Sequence, residues 1–141
     1  MAEDCIFCSI VDGDVPGRIV YEDEDAVAFL DANPLAPGHT LVVPRDHHET
    51  LAEMPPGPGE AVFAAAHYLA PHVVEAVGAD GATVAVNDGE AAGQEVPHVH
   101  VHVVPRFEDD GGRPIHALFP DRPDLSDAEL DDIADDVASR V

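Results

Sequence analysis

The sequence predicts an α+β domain with a mostly antiparallel five-stranded sheet and two main helices. Five short apolar runs are bounded by turn residues, and two longer segments carry apolar residues at helical spacing. A length of 141 residues suits one hydrophobic core. We therefore expect residues 1–141 to form a single domain.

The five apolar runs are the candidate strands. The first two are separated by an acidic turn at residues 22–25, which indicates a hairpin. The last two are joined by a glycine-rich loop over residues 88–93, where a ligand could approach the backbone. The predicted strands are Ile19–Tyr21, Ala26–Leu30, His39–Val43, Thr83–Val86 and Val99–Val104.

Two helices are predicted from periodicity and capping. Val62, Ala66, Leu69, Val73 and Val77 recur at spacings of three and four residues, and this helix should stop near Gly78. A capping box over residues 126–129 opens a second helix. We expect its apolar residues to face inward, namely Leu130, Ile133 and Val137.

The charge balance is extremely acidic. The chain has 6 basic residues, all of them arginine, and 29 acidic ones, a formal net charge of −23. Such a surface repels nucleic acid and anionic lipid, so neither a nucleic-acid polymer nor a membrane is an expected partner. No secretory h-region or membrane-length apolar segment is present in the sequence, so we expect a soluble, cytoplasmic protein. Self-repulsion on this scale is tolerated in molar salt, which predicts a halophilic source.

Three histidines alternate with valines in the last predicted strand. His98, His100 and His102 should share one face while the valines enter the core. Three interpretations are open from the pattern itself: a polar sheet face, a three-histidine metal site with one open position, or covalent catalysis by one histidine.

Two cysteines lie three positions apart at Cys5 and Cys8. This spacing suits a metal or redox pair better than a structural disulfide. The alternative is a pair of buried, reduced thiols that act as small hydrophobic side chains.

The histidine row resembles the signature of the histidine-triad (HIT) superfamily of nucleotide hydrolases and transferases. Upstream segments resemble that family's blocks in the same order, over residues 5–8, 21–23, 29–34, 37–44, 86–89 and 93–94. The similarity covers about residues 4–106 and leaves 107–141 as a C-terminal extension with a final helix.

The resemblance implies a nucleotidyl-histidine mechanism on a purine nucleotide. His100 would attack the α-phosphate of a nucleoside phosphoramidate or a dinucleoside polyphosphate, with no metal required for the chemical step. His39 would support proton transfer, and His98 would have a structural part. The phosphate contacts would come from His102, Asn87 and Gln94, with Gly93 beside them and Arg106 as a further cation.

The resemblance also implies a nucleoside cleft and a homodimer. Asp31 fits a ribose contact because a carboxylate can accept from both hydroxyls. Phe29 and Ile10 are equally compatible with core packing. The full set of base and ribose positions is Ile6, Phe7, Ile10, Phe29, Leu30, Asp31 and Asn33.

Zinc is the cofactor that the same comparison implies. Cys5, Cys8, His47 and His98 resemble the structural zinc site of many microbial members, and four N/S ligands suit a closed tetrahedral site. His48 is an alternative to His47.

The chain departs from the animal adenosine-phosphoramidase branch in ways that leave its substrate open. Glu95 stands where that branch has a serine after the glutamine, and the chain has no Trp. A non-catalytic nucleotide- or zinc-binding module that uses the histidine row for binding is the alternative function.

Overall fold

The computed structural model describes residues 4–141 and contains one five-stranded sheet. The strand order is β1-β2-β3-β5-β4, and every neighbouring pair is antiparallel. This confirms the α+β class and the five-stranded sheet. The elements are α1 (Ile6–Val11), β1 (Ile19–Glu22), β2 (Ala26–Leu30), β3 (Thr40–Pro44), α2 (Pro56–Val77), β4 (Gly81–Ala85), β5 (Val101–Arg106) and α3 (Asp127–Arg140), with short 3-10 turns at Leu51–Glu53, Glu90–Ala92 and Ile115–Leu118.

The predicted hairpin forms because Asp23 closes its turn. The Asp23 carboxylate accepts from the backbone N–H groups of Asp25 and Ala26, each at 2.8 Å. The Arg45 guanidinium donates to the Asp23 carbonyl oxygen at 2.8 Å, so the end of β3 is held against the same turn.

The central strands β2 and β3 are buried on both faces, whereas the edge strands β1 and β4 are partly exposed. On one face, small side chains of β2 such as Ala26 and Ala28 let α2 pack closely, with Val62 and Leu69 filling the contact. The opposite face carries Val27, Phe29, Leu41 and Val43 and is covered by α1 through Cys5, Phe7 and Cys8. Every residue of β3 is buried, which matches its continuous apolar sequence.

The turn before β3 is fixed by a close approach to α2. Gly38 has φ +87°, and a Cβ there would lie 2.9 Å from Val77 Cγ1. A larger residue would be strained and would displace the end of α2. Gly78, in the left-handed region at φ +67°, ends α2 where the sequence predicts.

The two main helices are confirmed as α2 and α3, and a short third helix, α1, which the sequence did not predict, begins between the two cysteines at Ile6. Two expectations from the sequence need correction. β5 begins at Val101, so His98 and His100 lie before the strand, and the chain bends at residues 96–98. The apolar residues of α3 do not face inward: Leu130, Ile133 and Val137 are 49%, 51% and 56% exposed, because no other described element covers them.

Within residues 4–141, no helix is both long enough and apolar enough to cross a membrane.

Candidate active site

A cleft of about 490 Å³ opens beside the ends of β3 and β5, on the face of the sheet that α1 covers. That volume is within the range of small-molecule sites. The residues that line it are Phe7, Asp31, Asn33, Leu35, His39, Leu41, Asn87, Gly93, Glu95, Val96, His100 and His102.

A backbone hydrogen bond to His39, and the contact of His39 with His102, determine which nitrogens of the two rings carry protons. The Leu35 N–H donates to His39 Nδ1 at 3.0 Å, so this nitrogen is unprotonated. His39 Nε2–H must then be the donor in its 2.9 Å contact with His102 Nδ1. His102 therefore carries its own proton on Nε2, the nitrogen left to face a ligand.

His100 has the opposite tautomer. Its Nδ1 lies 2.8 Å from the His98 carbonyl oxygen, which can only accept, so Nδ1–H is the donor. The Nε2 lone pair is then free for a ligand in the cleft. The ring is only 6% exposed and packs edge-on against Phe7 and His102, with centroid distances of 5.1 and 4.9 Å.

Burial keeps the supporting imidazoles neutral. It lowers the pKa of His102 to about 4, and the nearby His100 and His39 act in the same direction. Burial also lowers the pKa of His39, although Asp31, whose carboxylate lies 3.7 Å from His39 Nε2, opposes part of the change. Near neutral pH both rings hold the single-proton tautomers that their hydrogen bonds require.

A second cluster, formed by Cys5, Cys8, His47 and His98, lies behind the cleft. His98 Nδ1 is 3.3 Å from Cys5 Sγ and 3.5 Å from Cys8 Sγ, and His47 Nδ1 is 3.4 Å from Cys8 Sγ. Usual zinc bond lengths and tetrahedral angles give an S···N separation of about 3.6 Å, so these four donors fit a closed site. The structure selects His47 over His48, and the cluster could hold a metal ion.

His98 connects this cluster to the cleft. Its Nε2–H donates to the Pro44 carbonyl oxygen at 2.9 Å, which directs Nδ1 toward the two sulfur atoms. Its own carbonyl oxygen orients His100. Burial lowers the pKa of His98 to about 4, so the ring is neutral as a metal ligand must be. Among residues 4–141, no group of metal donors joins His98, His100 and His102, contrary to a three-histidine metal site.

The loop after β4 brings Asn87, Gly93 and Glu95 to the cleft but turns the Gln94 side chain away. The Gln94 amide oxygen accepts from the Gly89 N–H at 2.8 Å. Its amide nitrogen donates to the carbonyl oxygens of Glu49 and Val96 at 2.7 and 3.0 Å, which uses both N–H groups. Gln94 therefore shapes the loop and has no free donor for a ligand in this arrangement.

Most of the predicted site residues meet in the cleft, and some do not. Eight line it: Phe7, Asp31, Asn33, His39, Asn87, Gly93, His100 and His102. Phe29 is buried in the core under α1, where Ile10 packs against it, and Ile6 is 44% exposed. The residues outside the lining are Ile6, Ile10, Phe29, Leu30, Gln94, His98 and Arg106.

Arg106 is occupied elsewhere. Its guanidinium donates to the Asp110 carboxylate at 2.8 Å and to the Thr83 hydroxyl at 3.1 Å.

The sequence did not predict Leu35, Leu41 and Val96 as lining residues of the cleft. Leu41 could have been found, because it is two positions from His39 and residues at this spacing share a strand face.

The comparisons with known proteins agree with this fold. The HIT domain model matches residues 12–109, and the chain therefore belongs to the HIT domain family. An uncharacterized HIT-like protein of Methanocaldococcus jannaschii is 48% identical over 107 residues, 76% of this chain and 82% of its own length. An adenylylsulfatase of Arabidopsis thaliana is 40% identical over 110 residues, which span 78% of this chain but only 56% of the plant protein.

Solved structures show the same architecture. A HIT family protein from Bacillus subtilis superposes with a TM-score of 0.87 at 36% identity, covering 99% of this chain and 98% of that one. A zinc-bound histidine triad family protein from Mycobacterium smegmatis has a TM-score of 0.74 at 37% identity and covers 98% of each chain.

Proposed function

We propose that this protein is a nucleotide hydrolase or nucleotidyltransferase that acts through a covalent nucleotidyl-His100 intermediate. The observation that carries the proposal is the pairing of tautomers in the cleft: His100 offers a lone pair on Nε2, and His102 offers an N–H on Nε2. A nucleophile and a phosphate-oxygen donor are what phosphoryl-type transfer requires of a protein.

In the first step, His100 Nε2 attacks the α-phosphorus and the bond to the leaving group breaks. The leaving group departs with the bonding electron pair and takes up a proton. His100 then carries a positive charge, because Nδ1 keeps its proton while Nε2 is bonded to phosphorus. The His98 carbonyl oxygen, 2.8 Å from Nδ1, stabilises that charge.

In the second step, water attacks the same phosphorus from the cleft. The phosphorus–Nε2 bond breaks, its electron pair returns to His100, and the proton of the water is released to solvent. The His102 and Asn87 side chains, which line the cleft, would donate to the non-bridging oxygens in both steps. A purine nucleoside would occupy the cleft beside Phe7, Asp31 and Asn33, with the Asp31 carboxylate accepting from the ribose hydroxyls.

Turnover of defined substrates tests this function. Adenosine phosphoramidate, adenylyl sulfate and a diadenosine polyphosphate should each be assayed for release of AMP, with and without chelator. His100→Ala should abolish turnover and leave AMP binding intact, and residual activity above about a hundredth of wild type would count against His100 as the nucleophile. His67→Ala, a change at an exposed residue of α2, is the matched control. Loss of all turnover on gentle chelation, with the fold intact, would instead favour a catalytic metal centre.

We propose zinc as the metal of the four-donor cluster. Two thiolates and two imidazoles are the usual donor set of a structural zinc site. Bound there, zinc would hold α1 against β3 and the segment before β5, through Cys5, Cys8, His47 and His98.

We further propose a homodimer adapted to a salt-rich cytoplasm. The chain exposes 9445 Å², whereas a compact protein of 14.9 kDa exposes about 7,000 Å². Over two chains this excess comes to about 4,900 Å², within the range of about 2,000–5,000 Å² that obligate dimers bury in total. Much of it lies in the extension over residues 107–141, where Ile115, Leu118 and Phe119 are exposed. The net charge of −23 supports the salt adaptation.

A further inference from the structure

The electrostatic character of the cleft is unusual for a site that accepts a phosphate. Two of its lining side chains, Asp31 and Glu95, are carboxylates. Among residues 4–141, no arginine lines the cleft, and the chain contains no lysine. The cleft therefore offers the negative charge of two carboxylates and the neutral imidazoles of His39 and His102.

The two carboxylates differ in their hydrogen-bond partners. Asp31 accepts from the Asn33 N–H at 2.9 Å and lies 3.7 Å from His39 Nε2, so it belongs to the histidine pair. Glu95 is exposed and has no hydrogen-bond or ion-pair partner in the described part of the chain. Its charge is free to act on whatever enters the cleft.

The backbone on both sides of Glu95 is nevertheless fixed. Gln94 is held by three hydrogen bonds to Gly89, Glu49 and Val96. Val96 packs against the core cluster that contains Phe7, whose ring touches His100. The backbone of Glu95 is therefore held in place at the lining of the cleft, and its side chain extends from this fixed position.

We propose that Glu95 is a specificity-determining residue that selects leaving groups by their charge. It favours a nucleoside phosphoramidate whose leaving amine carries a further positive charge, such as a diamine or a basic amino acid. It disfavours anionic leaving groups such as sulfate or a second nucleotide. This inference rests on the proposed function and narrows its substrate class.

Attack by His100 Nε2 on such a substrate breaks the phosphorus–nitrogen bond, and the amine leaves with the bonding pair and takes a proton from solvent. The distal ammonium stays paired with Glu95 throughout. Because Glu95 is solvent-exposed, the pairing is weak. At about 4 Å in water a unit charge pair is worth a factor of about five in rate or affinity.

The test uses three adenosine phosphoramidates with the same phosphorus–nitrogen linkage. Their leaving groups are butylamine, a diaminobutane and an aminobutyrate, which are neutral, cationic and anionic at the far end. In low salt, wild-type kcat/KM should rise about five-fold from neutral to cationic and fall about five-fold from neutral to anionic. Molar KCl should compress the series.

In Glu95→Gln, most of the difference in kcat/KM among the three substrates should disappear. In Glu95→Lys, the order should be inverted, with the anionic leaving group favoured. Glu90→Gln is the matched control. The substitution removes the same charge from the same loop, but Glu90 does not line the cleft. If the wild-type kcat/KM is the same for all three substrates, the proposal is wrong. It is also wrong if Glu95→Gln and Glu90→Gln reduce the differences in kcat/KM between the substrates to the same extent. Mass-spectrometric detection of the His100 adduct with all three substrates keeps a failure of Glu95 selectivity distinct from a failure of the proposed function.

Discussion

At the scale of single residues, the backbone assigns the protons of the cleft histidines. Leu35 N–H fixes His39, His39 fixes His102, and the His98 carbonyl fixes His100. Each of these rings is buried or partly buried, so reorganisation by water is limited. Nucleophile and donor are thereby prepared before a ligand arrives.

Removing the donors to the phosphate should slow the chemistry less than removing the nucleophile. His102→Ala and Asn87→Ala should each cost about 2.7–4 kcal/mol in activation free energy, the usual value of one oxyanion donor. Single-turnover kinetics with saturating adenosine phosphoramidate measures this. Rates equal to wild type would remove the residue in question from the phosphate site.

The depressed pKa of His102 predicts a dependence of stability on pH. The folded value is about 4 and the ordinary value near 6.5, so the unfolded chain binds the proton more readily between these pH values. Stability is therefore lost as pH falls through this window, by about 2 kcal/mol from His102 at pH 5.

Urea unfolding of wild type and His102→Asn at pH 7.5 and pH 5 checks this contribution. The asparagine oxygen can still accept from His39 but does not titrate, so the variant should lose about 2 kcal/mol less on acidification. The 29 acidic residues titrate alike in both proteins and cancel in the comparison. An equal loss in the two proteins would contradict the assignment.

The sequence was informative about which residues approach the cleft and uninformative about their hydrogen bonds. Alternation predicts that His98, His100 and His102 share one face, and the structure brings His100 and His102 into the cleft, whereas the His98 side chain turns toward the cysteines. The sequence does not show that His98 belongs to the four-donor cluster. That role depends on distant partners of its ring, namely the Pro44 carbonyl oxygen and the cysteines near α1. Gln94 illustrates the limit, since its partners include Glu49, 45 positions away.

At the scale of elements, the four-donor cluster ties α1 to the sheet. α1 has only six residues, too few to be stable alone. Its buried anchors are Phe7 and Cys8, and Cys5 caps its first turn by accepting from the Cys8 N–H at 3.4 Å. A metal that joins both thiols to His47 and His98 would fix this helix in place.

The purified protein should contain about one zinc per chain, and Cys5→Ser/Cys8→Ser should lose it. We expect the melting temperature of that variant to fall while His100 is still nucleotidylated, because the cluster lies behind the cleft. Ser9→Ala on the same helix is the control. Metal analysis that finds no zinc in chelator-free wild type would leave the two thiols as packing groups.

Elements with strong periodicity or turn chemistry were predictable, and α1 and the packing of α3 were not. α2 and the five strands follow from apolar spacing and Gly78. α1 is too short to show a period, and it depends on contacts with Phe29 and His98. The α3 capping box forms as expected, with Ser126 accepting from the Glu129 N–H at 3.1 Å, yet capping does not specify what a helix packs against.

At the scale of the whole molecule, the main feature is the repulsion among its many carboxylates. Among residues 4–141, the arginines form three ion pairs, so few of the 29 acidic side chains of the chain are paired with a cation. Most carboxylates in the described residues therefore repel their neighbours across the surface. At about 0.01 M salt the Debye length of about 30 Å lets this repulsion act over the entire domain.

Stability, association and substrate affinity should all improve with salt. Raising KCl to about 1 M shortens the Debye length to about 3 Å, so the melting temperature and the sedimentation mass should rise and the KM for adenosine phosphoramidate, which carries no distal cation, should fall. Ordinary surface ion pairs would produce the opposite trend. A melting temperature that stays flat or falls with KCl at fixed pH would contradict both the electrostatic account and the salt adaptation.

The central claim is the covalent bond between His100 and the nucleotide, and intact-mass spectrometry tests it most directly. Protein mixed with excess adenosine phosphoramidate should be quenched within milliseconds in alkaline denaturant, because phosphorus–nitrogen bonds to histidine hydrolyse in acid. We predict a mass increase of one adenylyl group, mapped by fragmentation to His100 and absent from His100→Ala but present in His67→Ala. Turnover without such an adduct at any quench time, or an adduct on another residue, would contradict the mechanism.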